Sequence, residues 1–174
     1  MREDIVTSLD IVTRNVKYYI TSENNTGGIL EDVNTIIRSS NTDVTIDEPA
    51  VWIIQHPTIM KDENAINLNG VQQLETTFEF VCVEYDDDLE ASEIKGINLA
   101  SRVAKCILKN FNKIKDNEND PVHIFDNVNM EALYPVGEVN VEGKAKRIPA
   151  TSVVMKFTYT VNWKKCRIPQ IMED

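Results

Sequence analysis

The chain has 174 residues, of which 42% are hydrophobic and 26% are charged, as is usual for a globular domain. This length suffices for a sizeable core but is short for two domains, so we expect a single domain over residues 1–174. No apolar run approaches the roughly 20 residues of a membrane-spanning helix. The charged start Met1–Asp4 is unlike a secretory signal, which predicts a protein made in the cytoplasm with no membrane partner.

The net charge of −10 is unevenly distributed along the chain. Residues 1–142 carry 11 basic and 26 acidic side chains, a net −15, whereas residues 143–174 carry 7 basic and 2 acidic side chains, a net +5. The overall acidity argues against a nucleic-acid-binding protein, which would need a dominant basic face. An acidic body with a basic end can pair head to tail with further copies of itself. The alternative is that both regions are merely solvated surface.

The first part of the chain predicts one helix and then irregular structure. Residues 1–22 form an N-terminal helical unit, with a helix over residues 3–20 whose apolar face consists of Ile5, Leu9, Val12, Val16 and Tyr19 or Ile20. Gly27 and Gly28 lie in a breaker and predict a turn. Residues 29–37 fit a short helix, but the flanking Gly and Ser leave a strand or an irregular segment possible, and residues 39–49 predict a loop with room for an edge strand at 44–46.

Two strands are predicted next. Residues 51–55 are apolar on both faces, with Trp52 and Ile54 opposite Val51 and Ile53, which is typical of an interior strand ended by His56 and Pro57. A long connection over residues 57–70 follows. Residues 72–85 alternate clearly, and the predicted core face consists of Leu74, Thr76, Phe78, Phe80 and Cys82. Val81 and Val83 on the other face indicate that this end of the strand is also covered.

Residues 87–115 give the strongest helical pattern in the chain. Side chains at steps of three and four predict a core-facing stripe formed by Ile94, Ile97, Ser101, Ala104, Leu108 and Phe111, and widened by Ala100, Ile107 and Ile114. Asp87 and Glu90 have the spacing of a capping box, and the acidic run Asp86, Asp87 and Asp88 suits the positive end of the helix dipole.

The last part of the chain predicts two more strands. The first covers residues 122–136 and has a shared face of Val122, Ile124, Val128, Met130, Ala132 and Tyr134. Residues 137–149 predict an exposed loop. The second strand covers residues 151–163, with Val153, Met155, Phe157, Tyr159, Val161 and Trp163 on one side. Residues 164–174 are basic, then apolar, then acidic, and we expect them to form a docking arm.

These elements predict an α+β fold in one domain. We expect a mainly antiparallel sheet of about four strands, packed against one long helix and the N-terminal helix, with its core over residues 50–163.

No arrangement of residues typical of catalysis appears in the sequence. His56 and His123 lack ligands at metal spacing, and nucleophile elbows, phosphate-binding glycine loops and CxxC pairs are absent from it. Cys82, Cys106 and Cys166 are far apart, so we expect reduced, packed thiols. The carboxylates of residues 84–90 could hold a divalent cation, but a capped strand-to-helix turn explains them more simply. We therefore expect neither an enzyme nor a cofactor or metal site.

The stretch from Leu74 to Phe111 contains the helical sequence NLASRVAKCILKN and is followed by two strands that end in FTYTVNW. This order, with a strand that ends in an acidic run, then the helix, then a strand pair, resembles the tail terminator (tail completion) proteins of tailed bacteriophages. The resemblance covers roughly residues 50–163. It implies a hexameric ring in the virion that caps the tail tube, contacts the tube protein and any sheath, and joins the head–tail connector, with DNA passing through its channel without specific binding.

If the resemblance holds, charged loops make the contacts between subunits and tube. We expect the interface residues to be Lys144, Lys146, Arg147, Lys164, Lys165 and Arg167 on the basic side, and Asp86, Asp87 and Asp88 on the acidic side. Other neck or head-completion, sheath-associated and baseplate proteins remain alternatives. So does a small cellular enzyme or ligand-binding module, which would instead bind a small molecule as a monomer or dimer.

Overall fold

A computed structural model describes residues 9–38, 47–61, 70–111, 125–140 and 147–162. The described residues form one α+β domain with, in chain order, α1 Leu9–Thr21, β1 Thr35–Arg38, β2 Ala50–Met60, β3 Val71–Val83, α2 Leu89–Asn110, β4 Asn127–Asn140 and β5 Arg147–Asn162. The α+β prediction is confirmed, whereas the expected strand count was one too low.

The five strands make one sheet in the order β1-β2-β3-β5-β4. β1 pairs parallel with β2, and every other neighbouring pair is antiparallel. The sheet is therefore mixed rather than purely antiparallel. The extra strand lies in the segment whose sequence fitted a short helix, a strand or irregular structure. It has only four residues, too few for a periodic pattern to distinguish these possibilities.

Both helices pack on one face of the sheet, where the main core lies. α1 contributes Val12, Val16, Tyr19 and Ile20, all fully buried, which confirms this part of the predicted helix face. Ile5 lies outside the described residues. The predicted faces of β3 and β5 are also confirmed: from Leu74 to Cys82 and from Val153 to Val161, every second side chain is buried in this core.

A second, smaller apolar cluster lies on the opposite face of the sheet. It consists of Ala50, Trp52, Val81, Val83, Ile148 and Ala150, all buried. The prediction that Val81 and Val83 are covered is confirmed. The indole Nε1 of Trp52 is buried and has no hydrogen-bond partner among the described residues.

β2 continues beyond the predicted stop at His56 and Pro57 as far as Met60. The register with β3 shifts between Gln55 and Thr58, so that the strand passes Pro57 at an irregularity and then pairs again. This is where a sheet tolerates proline, because the missing N–H falls where the hydrogen-bond ladder is already interrupted. The predicted long connection is correspondingly shorter.

The hairpin of β4 and β5 is also longer than predicted. β4 begins at Asn127 and extends to Asn140, and β5 begins at Arg147, so much of the expected loop over residues 137–149 is strand. Its pairing with β5 is interrupted between Met130 and Ala132 and again between Pro135 and Gly137. β4 and β1 form the two edges of the sheet.

Candidate assembly surface

The predicted core-facing stripe of α2 is confirmed for Ala100, Ala104 and Ile107, but the stripe that meets the sheet is otherwise displaced around the helix from the predicted one. The buried residues of α2 are Ser92, Gly96, Leu99, Ala100, Val103, Ala104, Cys106, Ile107 and Asn110. Ile94, Ile97 and Leu108, which the periodicity placed in the core, are exposed by 53%, 37% and 46%, and Ser101 is also exposed. The helix therefore has two adjacent apolar stripes. The stripe with the smaller side chains faces the sheet because it permits a closer approach.

Gly96 illustrates how close this approach is. A Cβ atom at this position would lie 3.2 Å from Thr151 Oγ1 on β5 and 3.8 Å from the carbonyl oxygen of Cys82 on β3. The first distance is shorter than an ordinary van der Waals contact. The predicted stripe included the small residue Ala100 but not Gly96, because a glycine contributes nothing to a pattern of apolar side chains.

The exposed stripe leads into an apolar groove between α2 and β4. The groove has a volume of about 550 Å³ and is lined by Ser101, Ala104, Lys105, Leu108, Lys109, Met130 and Leu133. Met130 is 53% exposed and Leu133 is half-buried. We call this surface, together with Ile94 and Ile97, the α2–β4 face. An apolar surface of this kind is typical of sites that bind another protein.

The irregularity of β4 brings two of these side chains to the groove. In a regular strand Met130 and Leu133 would point to opposite sides of the sheet. The register shift between Met130 and Ala132 adds one residue, so that both side chains line the groove beside α2. The predicted common face of Met130 and Tyr134 is therefore wrong, because Tyr134 lies on the other side of the sheet, where its hydroxyl donates to Glu79 Oε1 at 3.2 Å.

The groove has a basic rim on α2. Lys109 Nζ lies 3.0 Å from Glu23 Oε1 and forms an ion pair with it. Lys105 is exposed and has no ion-pair partner within the described ranges. Among the described residues, Lys105 therefore borders the apolar floor as a cation without an acidic partner.

The acidic run before α2 shapes the turn that leads from β3 into this helix. The N-cap is Asp88 and its side chain makes no capping hydrogen bond, so the predicted capping box of Asp87 and Glu90 is wrong. Ser92 Oγ instead accepts from the Asp86 amide at 2.7 Å and donates to the Asp86 carbonyl at 3.0 Å. The hydrogen bond from Lys95, at 2.8 Å, holds the pKa of Asp86 below its ordinary value.

Of the predicted interface residues, only the acidic ones have side chains in the described part of the structure. Asp87 Oδ1 accepts from the Tyr85 hydroxyl at 2.8 Å, and Asp87 and Asp88 are exposed. Arg147 begins β5 and pairs with Asn140. The remaining basic residues lie outside the described residues: Lys144, Lys146, Lys164, Lys165 and Arg167.

A polar cluster lies on the sheet face opposite the helices, around Glu79 of β3. Ser152 Oγ donates to Glu79 Oε1, and His56 Nε2 lies 3.2 Å from Glu79 Oε2. Burial alone raises the pKa of Glu79, but the hydrogen bonds from Ser152, His56 and Tyr134 together outweigh it and hold the pKa below its ordinary value. Ser152 and His56 both contact the carboxylate, an arrangement that differs from the serine–histidine contact of a nucleophile and its base.

Two of the cysteines are buried free thiols, which confirms their predicted packing. Cys82 and Cys106 lie in the main core, and burial raises the pKa of both, that of Cys106 to about 12. Both thiols therefore stay protonated near neutral pH. Cys166 and His123 lie outside the described residues.

Neither of the comparisons with known proteins assigns the chain to a family. No protein-family model matches it, and no curated protein is significantly similar. Over the described ranges, no three side chains of the metal-ligating types converge. None of the helices in these ranges has the length and apolar character needed to cross a membrane.

Proposed function

We propose that the chain is a structural protein of a tailed bacteriophage, a tail terminator that forms a hexameric ring, caps the tail tube and joins it to the head–tail connector. The observation that carries this proposal is the exposed α2–β4 face. The resemblance of residues 50–163 to that class of protein supplies the particular assembly. The tail tube protein, the connector and any sheath are then its partners in the virion.

The α2–β4 face supports association because its apolar side chains lose contact with water only when another surface covers them. Leu108 and Met130 are each about half exposed, and they lie on neighbouring elements across one groove. Burial of apolar area contributes about 25 cal/mol per Å², so that even a few such side chains favour contact. The more distant part of this face, Ile94 and Ile97, lengthens the surface along α2.

The distribution of charge favours a head-to-tail arrangement. The groove carries Lys105, a cation without an ion-pair partner in the described part of the chain, whereas the turn before α2 exposes Asp87 and Asp88. Surfaces of opposite charge on different parts of one subunit pair with the next copy in a heterologous contact, and such contacts close into a ring when the rotation allows. A net charge of −10 also suits a channel from which DNA is repelled rather than bound.

Other neck, head-completion, sheath-associated and baseplate proteins would use the same kind of surface. Their positions in the particle differ, so that an electron-microscopy map of assembled virions separates them from a terminator. A small enzyme or ligand-binding module makes a different prediction, namely a monomer or dimer with a saturable small-molecule ligand.

The proposal is tested by adding the purified chain to tail tubes that lack a terminator. Electron microscopy should show a ring at one end of each tube, and tube growth should stop. Leu108→Asp should reduce the fraction of capped tubes at least tenfold, because it places a charge in the groove. Ile59→Asp is the matched control, since Ile59 is an apolar residue of β2, outside the groove, and is 58% exposed.

Two results would contradict the proposal. One is that the unmodified chain leaves tube ends bare and tube growth unchanged. The other is that Leu108→Asp and Ile59→Asp cap tubes equally well while circular dichroism shows both variants folded, because the groove would then have no part in assembly.

A further inference from the structure

We infer that α2 pairs with α2 of a second copy of this chain, antiparallel and about a twofold axis beside Ser101. This symmetric dimer differs from the head-to-tail contacts of a ring, in which one surface meets a different surface of the next copy. The dimer covers part of the α2–β4 face, so it must open before that face can serve in assembly. The pairing stands apart from the proposed function, whereas its effect on tube capping rests on that function.

The exposed stripe of α2 has the spacing of a seam between two helices. Apolar or small residues at steps of three and four, repeating every seven, let two helices interlock their side chains. The stripe consists of Ile94, Ile97, Ser101, Ala104 and Leu108. Apart from Ala104 at its border, it is separate from the stripe that α2 buries against the sheet. From Ile94 to Leu108 it is about 21 Å long, so it offers a second helix a continuous line of contact.

Ser101 lies in the middle of this stripe and suits a close contact between helices. Its side chain is small, and its hydroxyl donates to the carbonyl of Ile97 at 2.9 Å within the same helix. The hydroxyl therefore keeps a hydrogen-bond partner when a second helix replaces the water around it. Ile94 and Leu108 lie seven residues before and after Ser101 and are each about half exposed. A twofold axis beside Ser101 therefore places Ile94 of one copy opposite Leu108 of the other, and the two large side chains cover each other.

The charges along α2 favour an antiparallel pair. Its first half exposes Glu90 and Glu93, whereas its second half exposes Lys105 and Lys109. The two other cations of α2 lie in ion pairs within the chain: Lys95 with Asp86, and Arg102 with Asp32. An antiparallel pair brings the acidic half of each helix beside the basic half of the other, whereas a parallel pair would bring like charges together. A second copy thus supplies both the apolar stripe and the order of charges that this surface requires.

Disulfide formation at Ser101 tests the twofold axis. Helix axes about 8–10 Å apart bring facing Cα atoms to within about 6 Å, which a disulfide can span. Every variant also carries Cys166→Ser, which leaves the buried Cys82 and Cys106 as native thiols. Under mild oxidation, Ser101→Cys should form at least fivefold more covalent dimer on a non-reducing gel than Ile59→Cys, which places a thiol at an exposed position of β2. Equal amounts of dimer from the two variants would overturn the inference.

A mixture of Ile94→Cys and Leu108→Cys tests the direction of the helices. The mixture should yield at least fivefold more dimer than either variant alone, because each of these residues faces the other one rather than its own counterpart. If Ile94→Cys alone links to itself as efficiently as the mixture, the helices are parallel and the inference is wrong.

Sedimentation equilibrium tests the pairing without a disulfide. The unmodified chain should show an equilibrium between monomer and dimer. Leu108→Asp should raise the dissociation constant at least tenfold, whereas Ile59→Asp should leave it unchanged, with circular dichroism confirming that both variants are folded. A chain that stays monomeric up to about 1 mM, or that forms larger oligomers without a dimer, would contradict the inference.

The cross-linked Ser101→Cys dimer keeps this inference and the proposed function apart. It should cap tail tubes at least tenfold less efficiently than the same variant after its disulfide is reduced. If both forms cap equally well, the dimer does not block assembly and the inference fails in that respect, while the terminator proposal stands. If the reduced variant and the unmodified chain both fail to cap tubes, the terminator proposal is wrong, and the disulfide and sedimentation results alone decide the pairing.

Discussion

Glu23 shows how one buried carboxylate joins the ends of two helices. It follows α1, and its Oε1 accepts from Asn110 Nδ2 at 2.9 Å and lies 3.0 Å from Lys109 Nζ, both at the end of α2. Asn110 is fully buried, and its amide also donates to the carbonyl of Tyr19 at 3.4 Å. The Glu23 carboxylate therefore accepts a hydrogen bond from the buried Asn110 amide, which the surrounding apolar side chains could not do.

Glu23→Ala should destabilise the protein by about 1–3 kcal/mol, because it leaves the buried Asn110 amide short of an acceptor. The measurement is the free energy of unfolding in urea at pH 7. Glu93→Ala is the control, since Glu93 is an exposed residue of α2, and we expect an effect within about 0.5 kcal/mol. Equal effects of the two substitutions would show that the Glu23 contacts contribute nothing to stability.

Glu79 gives a prediction for the dependence of stability on pH. Its folded-state pKa lies below the ordinary value of 4.5, so the charged carboxylate stabilises the fold above that pH, and the contribution is lost as the pH falls through the folded-state pKa. Glu79→Gln should therefore be less stable than the unmodified chain at pH 7, and the difference should shrink below pH 4.5.

Thermal unfolding measured from pH 7 to pH 3 checks this dependence on pH. Glu90→Gln serves as the control because Glu90 is exposed, and its difference from the unmodified chain should stay small across the range. A Glu79→Gln deficit that stays constant or grows as the pH falls would contradict the assignment of the stabilising form to the carboxylate.

At the scale of elements, the sequence predicted what each segment forms better than which face it buries. The alternation of β3 and β5 was readable because each strand has one apolar face over the helices. α2 was misread because both of its stripes contain apolar residues, and periodicity alone does not distinguish them. The buried stripe is recognised only once Gly96 is seen against Thr151 of β5. The sequence pattern therefore placed Ile94, Ile97 and Leu108 in the core, so the exposed surface that they form was not predicted.

Local irregularities account for the other errors at this scale. Pro57 is a reasonable stop signal, but the register shift between Gln55 and Thr58 lets β2 pass it. The shift between Met130 and Ala132 exchanges the faces of β4 beyond that point. Neither irregularity follows from hydrophobic patterning, since each depends on pairing with a strand that is distant in sequence.

Gly96→Leu should destabilise the protein by about 1–3 kcal/mol, because the space between α2 and the sheet cannot hold a larger side chain without moving the helix. The midpoint of urea unfolding provides the measurement. Glu93→Leu introduces the same side chain at an exposed position of the same helix and should leave the midpoint nearly unchanged. If Gly96→Leu proves as stable as Glu93→Leu, α2 does not lie against β5 as described.

At the scale of the whole molecule, the domain combines a covered sheet with an uncovered helix face. One side of the sheet is buried beneath both helices, and a second apolar cluster lies on the other side. Within the described part of the chain, the exposed apolar residues of α2 and β4 line one groove, while Ile59 and Met60 of β2 are exposed elsewhere. Under the proposed function, the uneven distribution of charge gives the contact between copies a direction.

Neutralising the basic loop by substituting Lys144, Lys146 and Arg147 with Gln should reduce tube capping several-fold at low salt, and the reduction should fade near 1 M salt, where the screening length falls to about 3 Å. Counting capped tubes by electron microscopy across this range is the measurement. A control that neutralises the exposed Lys17 and Lys61 should have little effect. Capping that is unchanged at every salt concentration would show that this loop takes no part in assembly.

The two edges of the sheet have a consequence for how copies can add to one another. Within the described ranges, β1 offers only four residues, and β4 contains Pro135, which lacks an N–H, between two breaks in its ladder. Neither edge is long, flat and unbroken, as the growth of a fibril by addition of strands requires. Excess protein in a concentrated solution should therefore stay dispersed and bind no thioflavin T.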